Sequence, residues 1–188
     1  NVTVENMRFT CGFAGAQANG TYHGVNLLGG KNIRARNCLF DRAQLVTCGL
    51  GRSLDGLQCF GNVFVDCNDL GVSCVGSAGQ SIRNVQIKAN AFRGVVGGGY
   101  IYVGSDGVEG ENPDVSDVDI DDNQCSGAIG TQFAHGAIVG IIVSLGRRNQ
   151  RIRMRGNRVT NDNPDVSAAL VSAMRVFLRQ GESEFTED

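Results

Sequence analysis

The densest run of ionisable side chains is acidic, DGVEGENPDVSDVDIDD at 106–122. Its first half carries Asp106, Glu109, Glu111 and Asp114 in loop-like surroundings, and clustered carboxylates on a loop offer two kinds of chemistry. A pair a few ångströms apart could act as the acid and base of glycoside hydrolysis. Several together could hold a hard cation such as calcium. The spacing does not fit an EF-hand, and a solvated turn uses the same residue types. Asp106, Glu109, Glu111 and Asp114 are therefore the catalytic candidates, with a plain turn as the alternative, and no metal or cofactor is expected.

Other reactive residues are sparse. The two histidines, His23 and His135, each stand just before a glycine. By the repeat described below they lie four repeats apart, about 19 Å at one strand spacing per repeat, too far for one acid–base pair. Seven cysteines (11, 38, 48, 59, 67, 74 and 125) form an odd set without a CxxC pair or a zinc-like histidine spacing. Several fall where the repeat needs a small inward residue. Buried, reduced thiols acting as small hydrophobes are the expectation, and they suit a reducing compartment.

What must position these groups is a repeat. Six segments share the pattern apolar, any, apolar, two of any, small or Asn, any, apolar: VTVENMRF, IRARNCLF, LQCFGNVF, VQIKANAF, VDIDDNQC and IRMRGNRV. Their starts, at 2, 33, 57, 85, 118 and 152, are 31, 24, 28, 33 and 34 residues apart. Alternation with period two means strand, and one such unit per 24 to 34 residues means a solenoid whose loops absorb the variation. Each repeat has a second apolar stretch, at 24–28, 44–48, 71–75, 100–103, 138–143 and 169–178. The last could also be a short capping helix.

Stacking makes two predictions. The sixth pattern position reads Met7, Cys38, Asn62, Asn90, Asn123, Asn157, so the four asparagines should form an internal amide ladder at a bend. Between the apolar positions, Asp117, Asp119 and Asp121 should face outward and pair with Arg151, Arg153 and Arg155 of the next repeat, with Lys88 facing Asp121 from the other side. Each exposed pair adds only a few tenths of a kcal/mol, but together they specify register. Tyr100 and Tyr102 flank Ile101 and are expected to point outward, as is Phe60; exposed aromatics suit sugar stacking or a subunit interface.

The composition fits this picture. Glycine contributes 27 residues against 2 prolines and no tryptophan, with 41% apolar and 19% charged residues. The net charge of −2 gives no reason to propose nucleic acid as a partner, and no apolar run reaches the roughly 18 residues of a membrane helix. One β-helix domain over 1–178 and a polar, acidic tail over 179–188 are expected. Because residue 1 already reads as repeat strand, the domain is expected to belong to a longer protein or to stack on another domain.

The rhythm of Asn62-Val63-Phe64 and Asn90-Ala91-Phe92, followed by a glycine-led strand such as Gly71-Val72-Ser73-Cys74-Val75, resembles the repeat of the pectate-lyase-like β-helix superfamily. The resemblance implies an all-β, right-handed, single-stranded parallel β-helix of about six coils. Its enzymes would carry aspartate motifs that are missing here: Asp121-Asp122 is a pair, but no Gly-His-Gly follows. The expectation is a virion-associated module, tailspike or tail-fibre-like, that binds host surface polysaccharide as a homotrimer with other virion proteins as neighbours. The alternatives are a secreted polysaccharide hydrolase or lyase using the 106–114 loop, and a structural capsid decoration or scaffold.

Overall fold

The computed structural model describes residues 1–11, 23–48, 52–67, 70–95, 99–105, 113–129, 138–144, 149–160 and 171–177. Among these residues every regular element is a strand. The first two repeats give β1 (Val2–Glu5), β2 (Arg8–Thr10), β3 (His23–Asn26), β4 (Gly30–Arg36), β5 (Leu39–Asp41) and β6 (Gln44–Cys48). The next two give β7 (Leu54–Phe60), β8 (Val63–Cys67), β9 (Val72–Gly76), β10 (Ser81–Lys88), β11 (Ala91–Val95) and β12 (Ile101–Ser105). The last two give β13 (Asp114–Asp121), β14 (Gln124–Ile129), β15 (Ile138–Ser144), β16 (Asn149–Arg155), β17 (Arg158–Val159) and β18 (Val171–Phe177).

Every third strand pairs, in parallel. Strands β1, β4, β7, β10, β13 and β16 make a first six-stranded sheet, β2, β5, β8, β11, β14 and β17 a second, and β3, β6, β9, β12, β15 and β18 a third. The fold is thus all-β with three parallel sheets, an arrangement compatible with a parallel β-helix. In the first sheet the repeat starts stack as Val2, Ile33, Leu57, Val85, Val118 and Ile152. The second apolar stretches supply the third sheet. The stretch at 169–178, for which a capping helix was the alternative, contains β18, paired with β15.

The strands of the first sheet are bent in the middle. Their inward apolar residues stand three and then two apart, as in Leu54, Leu57 and Cys59, Ile82, Val85 and Ile87, and Val115, Val118 and Ile120, all fully buried. Simple alternation cannot place residues three apart on one face. One left-handed residue per strand absorbs the difference: Asn32, Gly56, Asn84, Asp117 and Arg151, with φ of 52°, 96°, 57°, 56° and 54°. Gly, Asn and Asp tolerate this region, whereas Arg151 adopts it at a cost of about 1 kcal/mol.

A second left-handed row, Asn6, Asn37, Gly61, Ala89, Asp122 and Gly156, turns the chain from the first sheet into the second. The residue after each turn points inward, and there the asparagines stack. The Nδ2 groups of Asn62, Asn90 and Asn123 donate to the Oδ1 atoms of Asn90, Asn123 and Asn157 at 3.0, 2.9 and 2.9 Å. The same oxygens accept the backbone N–H of Asn62, Asn90 and Asn123, and the Cys38 N–H donates to Asn62 Oδ1. Beside this ladder, Phe9, Phe40, Phe64 and Phe92 stack with centroids 5.1, 4.6 and 4.7 Å apart.

Three outward assignments need correction. Tyr100 is fully buried: the aromatic row reaches Cys125 after Phe92, leaving room beyond the Phe92 ring, and the Tyr100 ring fills it at 5.8 Å. Its hydroxyl donates to the carbonyl oxygens of Ser126 and Gly127 at 2.9 and 3.2 Å. Tyr102 keeps the outward phase between Ile101 and Val103 but is only 8% exposed, as are its stacked neighbours Ser73 and Val46. That face of the third sheet is covered, so alternation gives direction without exposure. Asp121 is also outward in phase yet buried, since Lys88 and Arg155 from the adjoining strands close over its carboxylate.

Of the cysteines, 38, 59, 67, 74 and 125 are buried free thiols and Cys11 is half-buried. Burial pushes the Cys59 and Cys67 thiols far up, and that of Cys125 up to about 12. The side chains of Cys48 and His23 fall outside the described residues, as do His135 and the 179–188 tail.

Candidate functional site

The bend makes the outer surface of the first sheet concave. Arg34, Gln58, Gln86, Asp119 and Arg153 are successive register partners on that surface, and the left-handed row Asn32, Gly56, Asn84, Asp117, Arg151 runs beside them. With Ile33 and Asp55 they line a groove of about 610 Å³. It crosses five strands, β4 to β16, a span of about 19 Å.

Carboxylates in the groove are committed. Arg151 binds Asp117 through Nε and Nη2, the latter at 2.7 Å, and Arg153 binds Asp119 at 2.8 and 3.0 Å. These two-pronged contacts have the fork geometry that favours arginine over lysine. Lys88 Nζ lies 3.3 Å from Asp119 and 3.0 Å from Asp121, and Arg155 lies 3.4 Å from Asp121. Asp55 accepts from Asn84 Nδ2 at 2.7 Å and from Arg83 at 2.9 Å.

These contacts set the protonation states. The hydrogen bond from Arg151 holds the Asp117 carboxyl below the ordinary carboxylate range, and that from Arg153 does the same for Asp119. Asp55 is lowered chiefly by Asn84 and then by Arg83. A general acid for glycoside cleavage needs the opposite shift, a carboxyl held protonated near neutral pH. The described carboxylates of the groove are therefore suited to hold charge and accept hydrogen bonds, not to deliver protons.

The rest of the lining is polar and open. The amides of Gln58 and Gln86 stand mid-groove; Gln58 Oε1 accepts from Arg36. Arg34 is exposed, and among the described residues its guanidinium makes no hydrogen bond or ion pair. Phe60 is half-buried at the end of β7, two residues beyond Gln58, with the Arg36 guanidinium 5.5 Å from its ring centroid, so of the three aromatics singled out in the sequence it alone lies on a strand of the first sheet.

The loop candidates separate from this groove. Asp106, Glu109 and Glu111 lie outside the described residues. Asp114 is exposed at the start of β13, its backbone N–H donating to the Gln80 carbonyl at 2.9 Å. Among the described residues no three His, Cys, Asp or Glu side chains converge to hold a metal ion. Sequence reasoning found the Asp117–Asp121 and Arg151–Arg155 rows but missed the groove, whose signal is the three-then-two spacing of the inward residues. Comparison with protein-family models, curated proteins and solved structures returns no match to this chain.

Proposed function

We propose that the chain is a right-handed parallel β-helix of about six coils, of the pectate-lyase-like kind, and that it serves as a virion-associated, tailspike- or fibre-like module holding host surface polysaccharide in the groove of its first sheet. The observation that carries this reading is the groove's chemistry. Amide and guanidinium donors line a concavity long enough for an extended chain, and every carboxylate in the lining is already bonded to a cationic or amide partner. Such a surface offers many hydrogen bonds to hydroxyl groups, with Phe60 as an apolar platform two residues beyond Gln58, and its described carboxylates supply no proton donor for cleavage. Assembly as a homotrimer is part of the proposal.

The test is binding of the purified chain to a panel of immobilised glycans, with Gln86→Trp filling the groove. Retention of a glycan, its loss in Gln86→Trp, and no new reducing or unsaturated ends on prolonged incubation are the expected results. Cleavage of the bound glycan that disappears in Asp114→Ala or Glu111→Ala would replace this reading with a hydrolase or lyase. A monomeric mass at high concentration would remove the trimer.

A further inference from the structure

Three guanidinium groups line the groove, and they are not equivalent. Arg151 and Arg153 are held by Asp117 and Asp119 at one end. Arg34, three strands from Asp119 in the same row, meets no carboxylate among the described residues. Its register partner towards the middle is Gln58, followed by Gln86, so no negative charge stands beside it in the row. The surroundings are also basic: the strands of the first sheet carry eight Lys and Arg against six Asp and Glu, in a chain whose net charge is −2.

We infer that the groove selects a sparsely charged acidic glycan, one whose anionic substituents are separated by neutral sugars, with a single carboxylate docked on Arg34. This rests on the polysaccharide-binding reading above and goes beyond it by naming the charge pattern of the ligand. The reason is positional. A planar guanidinium without a partner is matched to a carboxylate, so one anionic group is favoured at the β4 end. Further along, the groove wall presents Asp55, Asp117 and Asp119. Their charges are balanced by Arg83, Arg151 and Arg153, yet their oxygens face the same concavity. Neutral hydroxyl groups can donate to those oxygens. A second or third anion placed there meets like charge and has no unclaimed cation to bind, which is discrimination by repulsion.

The experiment compares four probes against the purified chain by calorimetry at fixed salt. They are an oligosaccharide alternating a uronic acid with a neutral amino sugar, the same oligosaccharide with its carboxyl groups reduced to alcohols, a homopolymeric uronate of equal length, and a single-stranded oligonucleotide. The alternating acidic probe should bind at least tenfold tighter than each of the others. Arg34→Gln should erase the preference over the reduced form, so that the two probes bind alike, while leaving the thermal midpoint unchanged, since among the described residues Arg34 makes no hydrogen bond or ion pair. Equal affinity for the acidic and reduced forms, or an undiminished preference in Arg34→Gln, overturns the inference while the glycan-binding reading stands. Tightest binding of the homopolymer or the oligonucleotide overturns it in favour of a polyanion site. Failure of every glycan to bind overturns both.

Discussion

Asn90 uses every hydrogen-bonding valence of its side chain inside the protein: Nδ2 donates to Asn123 Oδ1 at 2.9 Å and to the Cys59 carbonyl at 2.9 Å, and Oδ1 accepts from the Asn62 backbone and side-chain nitrogens at 2.9 and 3.0 Å. All three asparagines are buried. The amide therefore stitches three successive repeats at the corner between the first and second sheets. Replacing it by alanine removes one acceptor from two Asn62 donors, one donor from Asn123 and one from Cys59. Asn62 Nδ2 keeps the Ala35 carbonyl and Asn123 Oδ1 keeps the Asn90 backbone N–H, but the Asn62 N–H loses its acceptor; a buried donor left so costs about 1–3 kcal/mol and each further bond lost about 1, so Asn90→Ala should lose about 3 kcal/mol in denaturant unfolding. Met7, at the solvent-exposed equivalent position, provides the control: Met7→Ala should change stability by less than about 1 kcal/mol.

Acid should weaken the fold through the aspartate row. Hydrogen bonds from Arg151 and Arg153 hold Asp117 and Asp119 below the ordinary value of 3.8. A carboxyl lowered in the folded state stabilises above its unfolded pKa, and that contribution is lost as pH falls through the folded pKa. Lys88 works at the other extreme. Burial lowers its pKa, but the hydrogen bonds to Asp121 and Asp119 more than offset this and leave it raised, so its contribution is whole below its ordinary value of 10.5 and fades only above it. Stability should be level across neutral pH and decline below about pH 4. Asp119→Asn should shallow that decline; an unchanged acid limb would show that the row does not couple to folding.

Much of this was legible in the sequence because stacking repeats a residue type at a fixed place. The asparagines at 62, 90, 123 and 157 and the opposed rows at 117–121 and 151–155 are readable without coordinates, since each needs its copy in the next repeat. The second sheet was not legible as a separate element. Its strands follow the ladder residue at once, and β17 is two residues long, too short for a period to register. The bend in the first sheet was hidden for another reason: its left-handed row is chemically mixed, Asn, Gly, Asn, Asp and Arg, so no residue type marks it. Tyr100 illustrates the limit of alternation, which cannot anticipate that Cys125 leaves a space next to Phe92 large enough for a ring.

That space gives a further prediction. Gly71 lies against the same packing, and a Cβ there would sit 2.5 Å from Phe92 Cε1 and 2.8 Å from the Tyr100 carbonyl oxygen. Gly71→Ala must displace the ring, the backbone, or both, at a cost of about 1–3 kcal/mol. Tyr100→Ala removes the ring instead and should cost about 3–5 kcal/mol through the cavity it leaves. Because both act on the Phe92 ring, their double variant should be less unstable than the sum of the two, the ring pushed aside by the alanine methyl moving into room that the Tyr100 ring vacated. Simple additivity in thermal or denaturant unfolding would mean that Gly71 and Tyr100 do not share this site.

The thiols offer a probe of how tightly the repeats are closed. Cys59, Cys67 and Cys125 are at most 1% exposed, and burial raises the pKa of each. Alkylation requires the thiolate, so these residues are protected twice, by access and by protonation. Cys11 differs in access, being half-buried just after β2. With iodoacetamide at mildly alkaline pH, mass spectrometry of digested peptides should show Cys11 labelled first, with Cys59, Cys67 and Cys125 slower by more than about a hundredfold, since their reaction waits on opening of the structure. Denaturant past the unfolding midpoint should bring all four to similar rates. Prompt native labelling of Cys59, which lies under the Asn62–Asn90 step of the ladder, would mean that the amide stack opens readily and that the corner it holds is not the rigid part of the fold.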